Sequence, residues 1–332
     1  MAISNYKTWL KALKIIPGGN MLISKRPPES LIKKYPIYFS KCKGSYIWDL
    51  NGKKYLDMYL MGVGTNILGY NNEKVNQAVN KVIKTGNMSS LNSLEDYKLA
   101  KELIKINKWA GMVKFARTGG EANAIAVRIA RASNKKDIIA FCGYHGWHDW
   151  YMAANLRDNN QLSSHLFKYL EATGVPKKLK NTTFKFDYGD FEKLKKIHHK
   201  YKLGIVKMEV CRNNLPNKNF LTKVRNFTKK NNIVLIFDEC TTGFRYNYGG
   251  VHLTTGVNPD IAIFGKALGN GFAINAIIGK KKLCRKLKNL LLVVLFGQKE
   301  LVPSRVLPQL GSWKRKNRGK KLPKLENTFS KN

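Results

Sequence analysis

The most constraining feature of this chain is a pair of short apolar runs that each lead into a charged residue. One run begins at Ile233 and ends at Asp238, and the other begins at Ile261 and leads through Gly265 to Lys266. Apolar runs of this length are typical of strands buried on both faces of a parallel sheet. Because ligands bind at the carboxyl ends of such strands, Asp238 and Lys266 are candidate site residues.

Strand and helix patterns alternate from residue 112 to the second of these runs. The predicted elements are strand 112–116, helix 121–132, strand 137–142, helix 191–200, strand 204–210 and helix 219–231. Alternation of this kind predicts an α/β fold with a mainly parallel central sheet flanked by helices.

The first hundred residues carry a different pattern. They predict helices over residues 7–15, 72–86 and 93–106 and a strand meander over residues 37–60. Asn51 and Gly52 form a strong hairpin-turn signal within that meander. We therefore expect an N-terminal segment and small-domain hairpin over residues 1–68, followed by a large α/β domain over residues 69–286.

Composition excludes several classes of protein. Of the 332 residues, 43 % are hydrophobic, which is enough to form a large core. No apolar run has the length of a membrane span, and the N-terminus lacks the apolar segment of a signal peptide. The five cysteines are dispersed without metal-ligand spacing, so we expect no metal site, reduced thiols and a cytoplasmic location.

The formal net charge of +39 raises the question of nucleic-acid binding. The lysines are spread along the whole chain, and no helix-turn-helix, zinc or RNA-binding pattern accompanies them. We expect no specific nucleic-acid partner, and a basic polyanion-binding protein stays as the remote alternative.

Asp238 and Lys266 together can support pyridoxal phosphate chemistry. A carboxylate at one strand end can hold a protonated pyridine nitrogen, and a lysine after the next strand can form a Schiff base. Taken singly, each residue has a simpler interpretation, since a strand-end Asp often caps a helix and a lysine in a glycine-rich loop is often solvated.

Two further motifs supply what that chemistry needs. Thr118, Gly119 and Gly120 lie between a strand and a helix, where backbone amides and the helix dipole can bind a phosphate. The simpler interpretation is a capping box made by Thr118 and Glu121, which is compatible with phosphate binding. After the next strand, the aromatic ring of Tyr144 can stack on a cofactor ring.

His145 follows that tyrosine, and either takes part in catalysis or only shapes the pocket. A second histidine nearby, His148, has a structural role in our interpretation.

In this order the motifs resemble the class III, fold-type I, pyridoxal-phosphate-dependent aminotransferases. The most similar members are the glutamate-1-semialdehyde 2,1-aminomutase-like proteins. The resemblance covers about residues 10–286 and includes the supporting stretches 44–52, 66–69, 242–245 and 256–260. It implies a fold-type I transferase with an incomplete small domain, pyridoxal 5'-phosphate as cofactor, a small amine, aldehyde or keto substrate, no membrane partner, and a homodimer.

The resemblance also implies a role for each matched residue. Lys266 forms the Schiff base and then moves a proton, and Asp238 pairs with the pyridinium nitrogen. Gly119 and Gly120, next to Thr118, bind the phosphate, although the family more often has a hydroxyl residue in this loop.

The remaining roles concern the cofactor ring. Tyr144 stacks on the ring and His145 sits beside it, while Glu209, with Asn213 or Asn214, lines the hydroxyl side of the ring. The pattern after Glu209 departs from that of the family, so these last positions depend least on the match.

The match to the family ends near Lys286. Residues 287–332 contain eleven basic and two acidic residues and show little periodicity, so we expect an aberrant, disordered tail. For residues 290–303, codons can be chosen that, read one frame over, spell a sequence that resembles the segment the family carries at this point. We infer a frameshift between about residues 283 and 290, and a genuine basic tail is the alternative. The resemblance implies amino-group transfer as the function of this chain. The alternative is an inactive, truncated product of a frameshifted gene.

Overall fold

The computed structural model describes residues 4–86, 89–163, 170–211 and 215–285. The predicted tail, Asn213 and Asn214 lie outside these described residues, and so does the inferred frameshift region except for residues 283–285. The division into domains stays a prediction.

Within the described ranges the strands form two sheets. The strands are β1 (Phe39–Lys43), β2 (Tyr46–Asp49), β3 (Lys54–Leu56), β4 (Met112–Ala116), β5 (Ile139–Cys142), β6 (Thr183–Lys185), β7 (Ile205–Glu209), β8 (Val234–Glu239), β9 (Ile261–Phe264) and β10 (Asn275–Gly279).

Ten α-helical segments connect or flank these strands. They are α1 (Asn5–Ile15), α2 (Met61–Gly64), α3 (Glu73–Thr85), α4 (Leu94–Ile106), α5 (Gly119–Asn134), α6 (Asp149–Met152), α7 (Phe191–Tyr201), α8 (Lys218–Lys230), α9 (His252–Thr255) and α10 (Lys281–Cys284) among the described residues. Short 3₁₀ turns lie at Pro17–Gly19, Ile23–Lys25, Glu29–Leu31, Ala153–Leu156, Lys177–Leu179 and Lys266–Gly269.

The large sheet has the strand order β4-β10-β9-β8-β7-β5-β6. Strands β6, β5, β7, β8 and β9 pair in parallel, and β10 runs antiparallel to both of its neighbours, β9 and β4. The prediction of an α/β fold with a mainly parallel sheet is therefore confirmed.

Side chains of β8 alternate between two hydrophobic cores. Val234 and Ile236 pack in the core that α5 covers, whereas Leu235 and Phe237 pack in the core on the side of α7 and α8. This two-sided burial explains why β8 reads as a continuous apolar run instead of an alternating one.

The small sheet is the predicted meander, with the antiparallel order β1-β2-β3. Its turn is organised by the Asp49 carboxylate, whose Oδ1 accepts hydrogen bonds from the amides of Asn51 (2.9 Å) and Lys53 (3.0 Å). Gly52 adopts a φ of 78°, which a residue with a side chain adopts at a cost. In the part of the chain that the structure describes, we find no helix with the length and apolar character of a membrane span.

Candidate functional site

The sequence-predicted site residues meet at the carboxyl ends of the parallel strands. Asp238 is on β8 and lies opposite Glu209 of β7 in the sheet register. Tyr144 and His145 follow β5, and Lys266 follows β9. The loop that carries Thr118 follows β4, so the topology gathers all of these positions at one edge of the sheet.

Asp238 is only 4 % exposed and is held by both of its oxygens. Oδ1 accepts a hydrogen bond from the amide of Cys240 at 3.1 Å, and Oδ2 lies 2.8 Å from His145 Nδ1. Burial acts to raise the pKa of Asp238, but the nearby Lys207 ammonium and the bonds from His145 and Cys240 hold that pKa well below its usual range. The carboxylate is therefore ionised and fixed in orientation.

His145 is buried behind Asp238 instead of lining an open pocket. Its Nε2 lies 3.1 Å from the carbonyl oxygen of Cys142, so both ring nitrogens face hydrogen-bond acceptors. Those two acceptors favour the protonated ring, but burial opposes it more strongly and lowers the pKa of His145 to about 4. We therefore assign a neutral ring at pH 7 that donates from Nδ1 to Asp238.

Lys266 opens the 3₁₀ turn after β9 and has a φ of 44°. This left-handed conformation is rare for a residue with a side chain and is typical of functional positions. Its Nζ donates a hydrogen bond to Thr241 Oγ1 at 3.0 Å. Burial lowers the pKa of Lys266, with the positive charge of Arg245 acting in the same direction, so more of the amine is unprotonated than in a solvated lysine.

The loop before α5 is an N-terminal cap. Thr118 Oγ1 accepts a hydrogen bond from the amide of Glu121 at 3.2 Å, and Glu121 Oε2 accepts one from the amide of Arg117 at 2.8 Å. The capping interpretation is thus confirmed. Gly119 and Gly120 are the first two residues of α5, and the amides of such residues have no acceptor inside the helix.

The two glycines of this loop have different surroundings. A Cβ on Gly119 would meet Cys240 Sγ at 3.7 Å, which is ordinary contact. A Cβ on Gly120 would lie 2.7 Å from the ring of His148. That ring stacks on Trp147 with 4.6 Å between centroids, and it occupies the space that a side chain at position 120 would need.

Tyr144 and Glu209 are linked through the backbone. Glu209 Oε2 accepts a hydrogen bond from the amide of Tyr144 at 3.0 Å, and it packs so closely on Gly143 that a Cβ there would lie 2.4 Å from it. Tyr144 itself is 36 % exposed at the sheet edge. The Glu209 carboxylate therefore positions the loop that presents the Tyr144 ring.

Three residues of this site were missed at the level of sequence: Thr241, which accepts the hydrogen bond from Lys266 Nζ, Asn275 and Lys207. Asn275, at the start of β10, donates from Nδ2 to the carbonyl oxygen of Arg117 at 2.8 Å. Lys207, in β7, is completely buried, with Nζ 3.9 Å from Asp238 Oδ2. A charged residue in the middle of an otherwise apolar strand was the available signal for Lys207.

Comparison with known proteins gives consistent matches. A family model described as aminotransferase class-III matches residues 31–291. The 3-aminobutyryl-CoA aminotransferase of Cloacimonas acidaminovorans is 34 % identical over 281 residues, which are 82 % of this chain and 63 % of that protein. The glutamate-1-semialdehyde 2,1-aminomutase of Nitrosopumilus maritimus is 36 % identical over 288 residues, which are 85 % of this chain and 65 % of that protein. The chain thus spans slightly less than two thirds of the length of these relatives.

Solved structures share the fold at lower identity. The FumI protein of Sphingopyxis sp. MTA144, in its PLP internal aldimine form, superposes with a TM-score of 0.82 at 20 % identity, covering 95 % of this chain and 73 % of that one. A transaminase with PLP bound superposes with a TM-score of 0.80 at 23 % identity, covering 94 % of this chain and 74 % of that one. These likenesses establish the fold-type I transferase architecture.

Proposed function

Because the chain belongs to the aminotransferase class-III family, we propose that it transfers amino groups with pyridoxal 5'-phosphate as its cofactor. The observation that carries this proposal is the pairing of an ionised, buried Asp238 with a Lys266 amine of lowered pKa at neighbouring strand ends. Asp238 carries the negative charge that a protonated ring nitrogen needs, and the lowered pKa of Lys266 increases the unprotonated fraction of the amine that Schiff-base formation needs.

The residues at the sheet edge fit the cofactor on three counts. Asp238 offers a fixed negative charge to a protonated ring nitrogen, and the first amides of α5 offer donors to a phosphate. Tyr144 offers a partly exposed aromatic face. When bound, pyridoxal phosphate supplies an electron sink that stabilises negative charge at the carbon next to the amino group.

Lys266, Thr241 and His145 would then have separate roles in the reaction. Lys266 Nζ would bond covalently to the cofactor aldehyde with loss of water. Once the substrate amine had displaced it, the freed amine would accept and return the proton at the reacting carbon. The Thr241 hydroxyl orients that amine through its 3.0 Å hydrogen bond. His145 would hold Asp238 in place, and would not touch the substrate, because it is buried behind the carboxylate.

The substrate in this proposal is a small amine, aldehyde or keto compound. Relatives of similar identity include both an aminotransferase and aminomutases, so the amino group would move between two substrates or within one. We further propose a cytoplasmic homodimer. Support comes from the five free cysteines and from the exposed apolar side chains of the N-terminal region.

The decisive experiment is covalent capture of the cofactor. The full chain incubated with pyridoxal phosphate and then reduced with borohydride is expected to gain the cofactor's mass on the peptide that carries Lys266. Lys266→Ala should gain none and should lack the visible absorbance band of the bound cofactor. Lys98→Ala, which removes an exposed lysine of α4, serves as the control. Labelling of Lys266→Ala equal to that of the unaltered chain would refute the proposal.

A further inference from the structure

Lys207 is a buried cation that the proposed chemistry does not use. It lies at the centre of β7 with a side-chain exposure of 0 %, next to Phe141 of β5 and Ile236 of β8 in the sheet register. Its neighbours in the strand, Val206 and Met208, belong to the hydrophobic core on the opposite face. An isolated ammonium in such surroundings costs several kcal/mol, so it requires compensation.

The ionic part of that compensation comes from Asp238, and the ring of Trp150 adds a cation–π contact, with its centroid 5.9 Å from Lys207 Nζ. Among the described residues, Lys207 Nζ has no hydrogen-bond partner, and its ion pair is with Asp238 Oδ2 at 3.9 Å. Burial lowers the pKa of Lys207, whereas the charge of Asp238 raises it, followed in size by the effects of Cys240 and Glu209. Glu209 is already bonded to the amide of Tyr144, and burial keeps the Cys240 thiol neutral by raising its pKa.

We propose that Lys207 is the internal counter-ion of Asp238, a positioning residue that keeps this carboxylate charged and oriented while no other cation occupies the site. Three groups then fix the carboxylate. The Cys240 amide binds Oδ1, His145 donates to Oδ2, and Lys207 supplies the positive charge from behind. Because His145 is neutral, it contributes a hydrogen bond but no charge.

Lys207 also affects the affinity for the cofactor, an effect that rests on the proposed function. A protonated ring nitrogen would be a second cation on the same carboxylate, so Lys207 would weaken its binding. Lys207→Met, which shortens the unbranched side chain by one atom and removes the charge, is expected to bind pyridoxal phosphate several-fold more tightly than the unaltered chain.

The test is a double-mutant cycle on the full chain without added cofactor, read by thermal unfolding. Asp238→Asn leaves the Lys207 ammonium unpaired and should lower the Tm by roughly 5–10 °C. Adding Lys207→Met to Asp238→Asn should restore about half of that loss or more. The exposed pair of Glu95 and Lys98, altered as Glu95→Gln and Lys98→Met, should show coupling close to zero. Additive effects at residues 207 and 238 would overturn the proposal.

A second measurement holds even if Asp238→Asn fails to fold. The pKa of Asp238 lies below its value in the unfolded chain, so its contribution to stability is present above about pH 4 and is lost as the pH falls further. Without the Lys207 charge this pKa rises. Because Lys207 also lowers the pKa of His145, the comparison is made in a His145→Asn background, where acid unfolding of Lys207→Met should begin roughly half a pH unit or more higher. An unchanged acid midpoint would contradict the counter-ion role. Neither measurement involves the cofactor, so failure of either leaves covalent capture at Lys266 as a separate question.

Discussion

A glycine is needed at position 120 because the His148 ring lies close to it, and not because of its backbone conformation. The ring of His148 lies 2.7 Å from the place where a Cβ would be, whereas the same position at Gly119 is at ordinary contact distance from Cys240 and Asn275. The ring of His148 therefore leaves no room for a side chain at position 120.

We predict that Gly120→Ala and Gly119→Ala differ in sign. Gly120→Ala should destabilise the chain by about 1–3 kcal/mol, because the His148 ring must leave its stack on Trp147. Gly119→Ala should be neutral or slightly stabilising, since alanine is favoured over glycine in a helix. Chemical unfolding of both variants measures the difference. The double variant Gly120→Ala with His148→Ala should recover most of the loss, and a loss that persists would show that the ring is not the obstacle.

The buried imidazole of His145 predicts a loss of stability in mild acid. Burial lowers its pKa from 6.5 to about 4 in the folded chain, so the unfolded chain binds the proton first as the pH falls. The free energy of unfolding should therefore decrease between about pH 6.5 and about pH 4, by roughly 3 kcal/mol from this group. Urea unfolding across this range gives the slope.

A matched pair of variants isolates that contribution. His145→Asn keeps a donor for Asp238 without a group that titrates, and should flatten the slope. His198→Asn is the control, because burial also lowers the pKa of His198 but its side chain is only partly buried. Equal flattening in the two variants would contradict the assignment to His145.

At the scale of elements, the buried strands and long helices were predictable and the antiparallel strand was not. The runs leading to Asp238 and Lys266 are apolar enough to identify β8 and β9 from the sequence alone. By contrast, β6 has three residues with a polar one at each end, and β10 follows a glycine-rich turn that gives no indication of strand direction. The position of Asn275 beside the loop of Arg117 depends on that antiparallel pairing, which is why the residue could not be found from the sequence.

We predict that the hydrogen bond from Asn275 holds the loop before α5 in place against β10. Its Nδ2 donates to the carbonyl oxygen of Arg117, and its Oδ1 lies 3.5 Å from Cys240 Sγ. Asn275→Asp removes the donor and adds a negative charge near the first amides of α5. The affinity for pyridoxal phosphate, measured by titration, should fall at least tenfold, while Asn134→Asp at the far end of α5 should leave it unchanged. An unaltered affinity in Asn275→Asp would exclude this role.

For the whole molecule, the sequence predicted which residues gather but not how they interact. Asp238, Lys266, Tyr144 and the glycine loop meet at one sheet edge because parallel strands place their carboxyl ends together. The pairing of His145 with Asp238 and of Glu209 with the Tyr144 amide depends on side-chain directions across separate strands. Distances of that kind carry no periodic signal, so they became known only from the structure.

The exposed apolar side chains of the N-terminal region bear on the assembly of the molecule. Met58 is 85 % exposed, and Tyr59 and Leu60 beside it are more than half exposed. Leu60 and Met61 have positive φ angles of 45° and 38°, so this apolar segment is held in a strained conformation. A continuous exposed apolar surface, such as that of residues 58–60, is typical of a face that another protein covers.

We predict that residues 58–60 lie in the interface of a homodimer. Met58→Glu combined with Leu60→Glu should shift the full chain from dimer to monomer in sedimentation velocity, because two buried carboxylates at an interface are strongly unfavourable. Ile83→Glu is the control, since Ile83 is also exposed and apolar but lies on α3. A dimer that survives the double substitution would place the interface elsewhere, and a monomeric unaltered chain would refute the homodimer itself. Either result is independent of cofactor capture at Lys266, so assembly and chemistry can be judged separately.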